Sequence, residues 1–416
     1  MENKNVPSIR FKGFLDDWEQ RKFFDSISST IDFRGRTPKK LGMEWSESGY
    51  LALSALNVKS GYIDLSVDAH YGDEELYSKW MGEKILRKGQ VIFTTEAPMG
   101  NVAQIPDDKG YILSQRTIAF EIKEDMMTND FLTILLNSPL VSNHLSALSS
   151  GGTAKGVSQK SLRGLSVNVP SDIDEQQKIG LFFKRIDESI ALYESELKIL
   201  KLMKKGFLQQ LFPENKQLSP NIRFENFQEK WQQRKLGEIV IFFSGLTYSP
   251  ENVKDKGTLV LRSSNIKNNN IISADDVFVD DTVVNCEQVQ IGDVIVVVRN
   301  GSKALIGKHA IIDTEMNNTV IGAFMTGIRS KSPYFINAIL STRQFNKEIE
   351  KNLGATINQI TTGSFKRMEF IISKDTEEQT KIGDFFKEID KTISLQEEKL
   401  KKLKETKKSF LHKIFI

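Results

Sequence analysis

The chain has 416 residues, 39% apolar and 27% charged, with a net charge of +3; that is length for two or three domains and an ordinary globular balance. No run reaches the ~20 apolar residues of a membrane span, so no membrane association is expected, and the single cysteine, Cys286, excludes an internal disulfide and fits a reducing cytoplasm. His70, His144, His309 and His412 stand at no ligand spacing from Cys286 or one another, which argues against a metal site, and a charge of +3 is too small to imply nucleic acid.

Residues 1–172 read as an entry segment and a first globular domain. The entry segment runs Pro7 to Phe14 and Trp18 to Lys22. Strand-like runs follow at Tyr50–Leu53, Gln90–Thr94, Thr117–Ile122 and Ser166–Val169, with a helical pattern at Thr128–Leu148. This mixture with glycine-rich turns is an α+β pattern. Two basic loops are candidate DNA contacts. The first, Asp32 to Lys40, carries Arg34, Arg36, Thr37, Lys39 and Lys40 in a turn rather than on a helix face. The second, Gly151 to Lys160, carries Lys155, Gln159 and Lys160 among small residues that permit close approach to phosphates.

Residues 173–212 predict one long helix. Its apolar positions are Ile179, Phe183, Ile186, Ile190, Tyr193, Leu197, Leu200, Phe207 and Leu211. Their steps alternate four and three, the a/d seam of a coiled coil, with Lys204 as the polar entry. At 1.5 Å per residue such a helix spans roughly 55–60 Å. Pro213 stops it.

Residues 213–374 begin by repeating the entry segment. Ile9, Arg10 and Trp18 return as Ile222, Arg223 and Trp231 within Pro220–Phe227 and Trp231–Lys235. Strand-like runs lie at Thr258–Leu261, Val294–Val298, Ala323–Ile328 and Lys366–Ile372, with a helix near Pro333–Asn352. Fainter echoes pair Leu53–Lys59 with Leu261–Lys267, and Gly89-Gln-Val-Ile with Gly292-Asp-Val-Ile. The candidate DNA contacts here are Arg262, Asn265, Lys267, the run Asn268–Asn270, Arg299, Asn300, Lys303 and Lys308. Arg and Lys suit guanine edges, and Asn suits adenine.

Residues 375–416 predict a second helix in the same register: Ile382, Phe386, Ile389, Ile393, Leu400, Leu403, Phe410 and Ile414, with Gln396 and Lys407 as polar entries. Thr376 and Gln379 form a candidate capping box. Glu175–Asp187 and Glu378–Asp390 repeat almost residue for residue. Either helix alone would expose a long apolar stripe, so the two are expected to pair antiparallel as a spacer. Phe182 and Phe385 widen the stripe and leave surface for partner subunits.

No enzyme motif is complete. Asp107 with Glu121 and Lys123 imitates a metal-dependent nuclease set but has no counterpart in the second half, and Gly301–Lys308 misses phosphate-loop spacing. Two alternatives stay open: a nuclease built on that set, and an adaptor that binds proteins only through its coiled coil.

The chain resembles the specificity (HsdS) subunit of type I restriction–modification enzymes over nearly its whole length. The carrying features are the paired Trp18/Trp231 segments, the turns at Gly35–Pro38 and Gly151–Thr153, and the Glu-Gln-x-Lys-Ile-Gly helix starts at Glu175 and Glu378. In the second half Gly245–Tyr248 lacks the proline and Gly354–Thr356 replaces the double glycine. The resemblance implies two tandem target-recognition domains separated by an antiparallel helix pair, each domain reading one half of a bipartite double-stranded DNA target. It also implies two methyltransferase subunits docked on the helices and further restriction/translocase subunits. S-adenosylmethionine, ATP and Mg would belong to those partners, and the chain itself would be non-catalytic and bind no cofactor.

Overall fold

In a computed structural model, residues 6–67, 70–149, 156–214, 217–353 and 358–415 are described. Lys155, the turn at Gly151–Thr153 and the turn at Gly354–Thr356 lie outside them. The chain forms two units, residues 1–194 with 398–416, and residues 195–397. Both are divided inside the long helices, so each unit carries half of each helix.

In the first unit a four-stranded antiparallel sheet runs Ile27–Asp32, Thr117–Ile122, Val91–Thr94, Val102–Gln104. Its inner strand Val91–Thr94 is buried along its whole length, as a continuous apolar run with both faces covered requires. A smaller sheet joins Tyr50–Leu53 to Tyr71–Gly72 and, in parallel, to Tyr111–Leu113. The entry strand Glu19–Lys22 pairs with Ser166–Val169. The helical pattern at Thr128–Leu148 is two helices, Asn129–Asn137 and Pro139–Leu148. Pro139 has no N–H to continue the ladder, and it holds Ser138 extended, where the Ser138 side chain caps the second helix by accepting from Val141 N.

The second unit repeats this plan. One four-stranded sheet runs Ile241–Ser244, Met325–Arg329, Val294–Val297, His309–Ile311, and in another four-stranded sheet Thr258–Leu261 runs parallel to Thr319–Ile321. Gln232–Lys235 pairs with Glu369–Ile372. Three expectations are corrected. The Pro333–Asn352 helix breaks into Pro333–Ile339 and Arg343–Asn352 because the Thr342 hydroxyl caps the latter, accepting from Phe345 N at 3.3 Å. Lys366 and Arg367 belong to a helix, Thr362–Arg367, capped by Thr361, and only Glu369–Ile372 is strand. The strand expected from Ala323 starts at Met325, since Ala323 and Phe324 form the turn before it.

The long helices are Ile173–Leu211 and Thr376–Ile414. Ile179, Phe183 and Ile186 are buried in the first unit with Ile414, and Leu403, Phe410 and Ile190 pack around them. Leu211, Ile382 and Phe386 are buried in the second with Phe207 and Ile389 beside them. Ile393 is buried, and Leu197, Leu200 and Leu400 are half-buried. The pairing is antiparallel in both units. Lys407 meets Asp187 and Lys404 meets Glu194 in the first; Lys204 meets Asp390 and Lys201 meets Glu397 in the second. The seam lysines therefore find carboxylates, which is how a polar group is kept in a half-buried seam.

Two helix-start expectations change. Thr376 is not the cap: Asp375 Oδ1 accepts from Glu377 N at 2.8 Å, as Asp172 Oδ1 accepts from Asp174 N, and Gln379 donates to Ser373 O. A carboxylate is a stronger acceptor than a hydroxyl for these orphan N–H groups and also complements the dipole. Phe182 and Phe385 are not left for partners. Phe11 packs on Phe182, and Phe224 on Phe385, so the entry segments cover them. Each entry segment is locked by a buried glutamate: Arg10 Nε and Nη2 donate to Glu175 at 2.6 and 2.8 Å, and Arg223 does the same to Glu378 at 2.5 and 2.9 Å. Among the described residues no helix is long and apolar enough to cross a membrane.

Candidate nucleic-acid interface

In each unit the parallel strand pair ends in a cleft, the place where an α/β sheet leaves backbone and loop residues uncovered. The first cleft holds about 360 Å³ and follows Tyr50–Leu53 and Tyr111–Leu113. Ser54, Ala55 and Leu56 line one side, and Ser114, Gln115 and Arg116 the other. Its back wall is a ladder of rings. Buried Trp80 contacts Trp45 at 5.7 Å, and Trp45 stacks on exposed His70 at 5.6 Å and 22°. Trp80 Nε1 donates to Leu113 O, which fixes the ladder to the strand. Arg36 lies over Phe33 at 4.5 Å and donates to the Trp80 carbonyl. Two lining residues, Ala97 and Arg116, have left-handed backbone (φ 48° and 66°), a conformation that costs a non-glycine residue energy and gathers at functional sites.

The second cleft holds about 750 Å³ and follows Thr258–Leu261 and Thr319–Ile321. Arg262, Ser263 and Ser264 stand where Ser54, Ala55 and Leu56 stand in the first, and Gly322, Ala323 and Phe324 where Ser114, Gln115 and Arg116 stand. Phe324 is 54% exposed and carries Arg299 over its ring at 4.9 Å. Arg262 Nη2 donates to Asp275 O, while Arg262 Nε and Ser264 Oγ are buried without a partner among the described residues.

The predicted contacts fall into three groups. Some are drawn together at a cleft: Arg36, Thr37 and Arg262 line one, and Arg299 sits on Phe324. Asp32 ties the two basic loops of the first unit together, taking Arg34 Nε at 2.8 Å and Gln159 Nε2 at 2.7 Å. Thr37 caps the short helix Pro38–Leu41, and Lys40 Nζ donates to Gly35 O; Pro38 at its first position makes part of the expected turn helical. A second group, Lys39, Lys160, Lys267 and Lys303, is solvent-exposed. The third group serves the fold. Lys308 Nζ donates to Ser263 O, with its pKa lowered by burial, and Asn300 Nδ2 donates to Ser263 Oγ.

Asn265 is the clear correction. It is fully buried; its Oδ1 accepts from Arg262 N, and its Nδ2 donates to Ala274 O and Asp276. Asn57 does the same in the first unit, accepting from Ser54 N and donating to Asp64 O. The echo Leu53–Lys59/Leu261–Lys267 thus marks a shared backbone staple, with no side-chain amide left for adenine. Asn268 and Asn270 are engaged too, donating to Glu397 and Ser394 of the second long helix, and Asn269 donates to Ser341.

The nuclease-like set shares no contact. Asp107, held down at about 2 by Lys109 and Tyr111, bonds those two residues; Glu121 bonds Ser29; Lys123 donates to Asp25 O. Among the described residues no three of His, Cys, Asp and Glu group as a metal site. Sequence reading missed Trp45, Trp80, His70, Arg116 and Phe324. Arg116 and Phe324 each follow a strand by three residues, which is a weak signal; the ring ladder has none, since its members meet only through the fold.

The type I restriction modification DNA specificity domain matches this chain twice, over residues 17–202 and 228–405. The chain belongs to that family. It is a type I specificity subunit, and its work is DNA sequence recognition. Among relatives of this specificity subunit, the type I restriction enzyme MjaVIII specificity subunit of Methanocaldococcus jannaschii is 22% identical over 409 residues, 95% of this chain and 92% of that one. The EcoKI specificity subunit of Escherichia coli is 28% identical over 148 residues, 33% of this chain and 31% of that one. The S subunit of a type I restriction–modification system from M. genitalium shares the fold at a TM-score of 0.69, with 16% identity and 99% of both chains covered. A chain from a study of complex assembly and conformational transition of the type I system aligns at a TM-score of 0.52 and 18% identity, over 95% of this chain and 97% of that one.

Proposed function

We propose that the two units read the two halves of a bipartite, asymmetric double-stranded DNA target, one half each. The observation that carries this reading is the pair of equivalent clefts, built on one backbone plan and lined by different side chains. A duplicated frame with unlike linings suits two different half-sites. The helix pair acts as the ruler for the unread gap and as the dock for two methyltransferase subunits. Ile199, Leu202 and Met203, on one face of the first helix at i, i+3 and i+4 spacing and about half exposed, support docking, because an exposed apolar patch marks an interaction surface. Restriction/translocase subunits join that assembly. S-adenosylmethionine, ATP and Mg belong to the partners, which also extrude the adenine to be methylated; this chain contributes recognition and no chemistry.

The test is a domain exchange in the assembled methyltransferase. Replacing residues 18–170 with those of a relative changes one half of the methylated sequence and leaves the other intact. Lengthening the first long helix changes the tolerated gap. Methylation-site sequencing reads both, and a swap that alters neither half rejects the reading.

A further inference from the structure

The mouth of each cleft is the same piece of backbone carrying opposite chemistry. In the first unit Thr95 N donates to Arg116 O at 2.8 Å; in the second Val298 N donates to Phe324 O at 3.0 Å. The next residues also correspond, with Glu96 bridged to Gly156 and Arg299 to Gln359. On this common frame the first unit places a carboxylate against a guanidinium, Glu96 Oε1 to Arg116 Nε at 3.4 Å. The second places a guanidinium over an exposed ring, Arg299 on Phe324 at 4.9 Å.

Nothing in the fold requires either pair. The strands are held by backbone bonds, and both mouths are exposed: Arg116 and Glu96 side chains at 55% and 45%, Phe324 at 54%. A pair that is exposed, unnecessary for packing and different on the two copies is what two different ligand preferences demand. A phosphate does not suit the first mouth, where Glu96 would repel it. A base-pair edge does: a carboxylate accepts from the cytosine amino group, and a guanidinium donates to guanine O6 and N7. The second mouth offers a guanidinium with an apolar face, which suits guanine beside a thymine methyl. Behind the first mouth the ladder of Trp80, Trp45 and His70 supplies a rigid wall that limits how far an edge can enter.

We propose that each cleft mouth receives one base-pair edge of its half-site, and that Glu96 with Arg116 in the first unit and Arg299 with Phe324 in the second select it. The inference rests on the recognition reading above and adds the residues that discriminate. It is tested with the complete complex of this chain and its methyltransferase subunits, competed against DNA randomised through the target. Arg116→Ala lowers preference at one position, or two adjacent ones, in one half by about tenfold, and the other half keeps wild-type preference. Arg116→Lys keeps the charge but loses the bidentate fork, and so loses the preference while retaining the salt dependence of binding. Phe324→Ala does the mirror experiment in the other half. Variants with unchanged preference at every position, or with preference lost in both halves at once, overturn the cleft assignment. A wild-type complex without any sequence preference overturns the recognition reading itself.

Discussion

Lys204 of the first long helix pairs with Asp390 of the second, and Lys407 pairs with Asp187 in the same way. Each pair sets the seam lysine of one helix against the aspartate that ends the Lys-Ile-Gly repeat of the other. A polar group at a seam position disfavours slipped registers, because any slip leaves it unpaired against apolar side chains. The pair therefore contributes more to register than to stability. In a double-mutant cycle of Lys204→Ala and Asp390→Ala, chemical denaturation should give a coupling of about 1 kcal/mol. Replacing both partners, Lys204→Leu with Asp390→Leu, should leave stability equal to or above wild type, and a loss as large as that of Lys204→Ala would contradict this.

The Arg223–Glu378 lock should behave differently, because Glu378 is fully buried and Trp231 Nε1 also donates to it at 3.0 Å. Arg223→Ala strands a carboxylate in the core, at a cost of roughly 3–5 kcal/mol. Adding Glu378→Gln removes the stranded charge, so the double variant is expected to be more stable than Arg223→Ala alone. Urea midpoints of the three proteins decide the order.

His309 gives the second unit a pH dependence. Burial pushes its pKa from 6.5 down to about 4; Nδ1–H donates to Gly307 O at 2.9 Å, and Nε2 lies 3.1 Å from Ser341 Oγ. Between these values the unfolded chain binds a proton that the folded chain refuses. Stability is therefore complete above pH 6.5 and falls, by about 3 kcal/mol, as pH drops to 4. His309→Gln should flatten that decline in denaturation curves taken across the range, and an equally steep decline in the variant would assign it to other groups.

Asn57→Ala and Asn265→Ala should each destabilise their own unit by about 2–3 kcal/mol, since several backbone groups lose a partner at once. Thermal unfolding reads the loss. If Asn265→Ala kept full stability while losing preference for one base, the amide would be a reader after all.

Exposed Lys267 and Lys303 are candidates for phosphate contact in the second half. Lys267→Gln with Lys303→Gln should weaken binding to all sequences alike and flatten the plot of log affinity against log salt by about 1–2. A change confined to the cognate sequence would instead make them base contacts.

Much of this architecture was legible in the chain because it rests on periodicity and repetition. The four-three spacing from Ile179 to Leu211 and from Ile382 to Ile414 determines two long helices and their shared seam, since a 3.5-residue apolar repeat has one economical burial. The repeated Arg10/Arg223 and Glu175/Glu378 likewise announced a shared device. Single-residue roles were less legible. Asn265 and Lys267 are both polar loop residues in the sequence, yet one is a buried staple and the other faces solvent. Phe182 and Phe385 read as spare apolar surface until Phe11 and Phe224 were seen to cover them. The clefts were decided by tertiary structure alone. Trp45 and His70 precede the antiparallel strands Tyr50–Leu53 and Tyr71–Gly72 and meet Trp80 of the helix Glu74–Met81, and Glu96 meets Arg116 because Val91–Thr94 and Thr117–Ile122 pair antiparallel with Thr94 opposite Thr117; no local pattern of residues encodes such meetings.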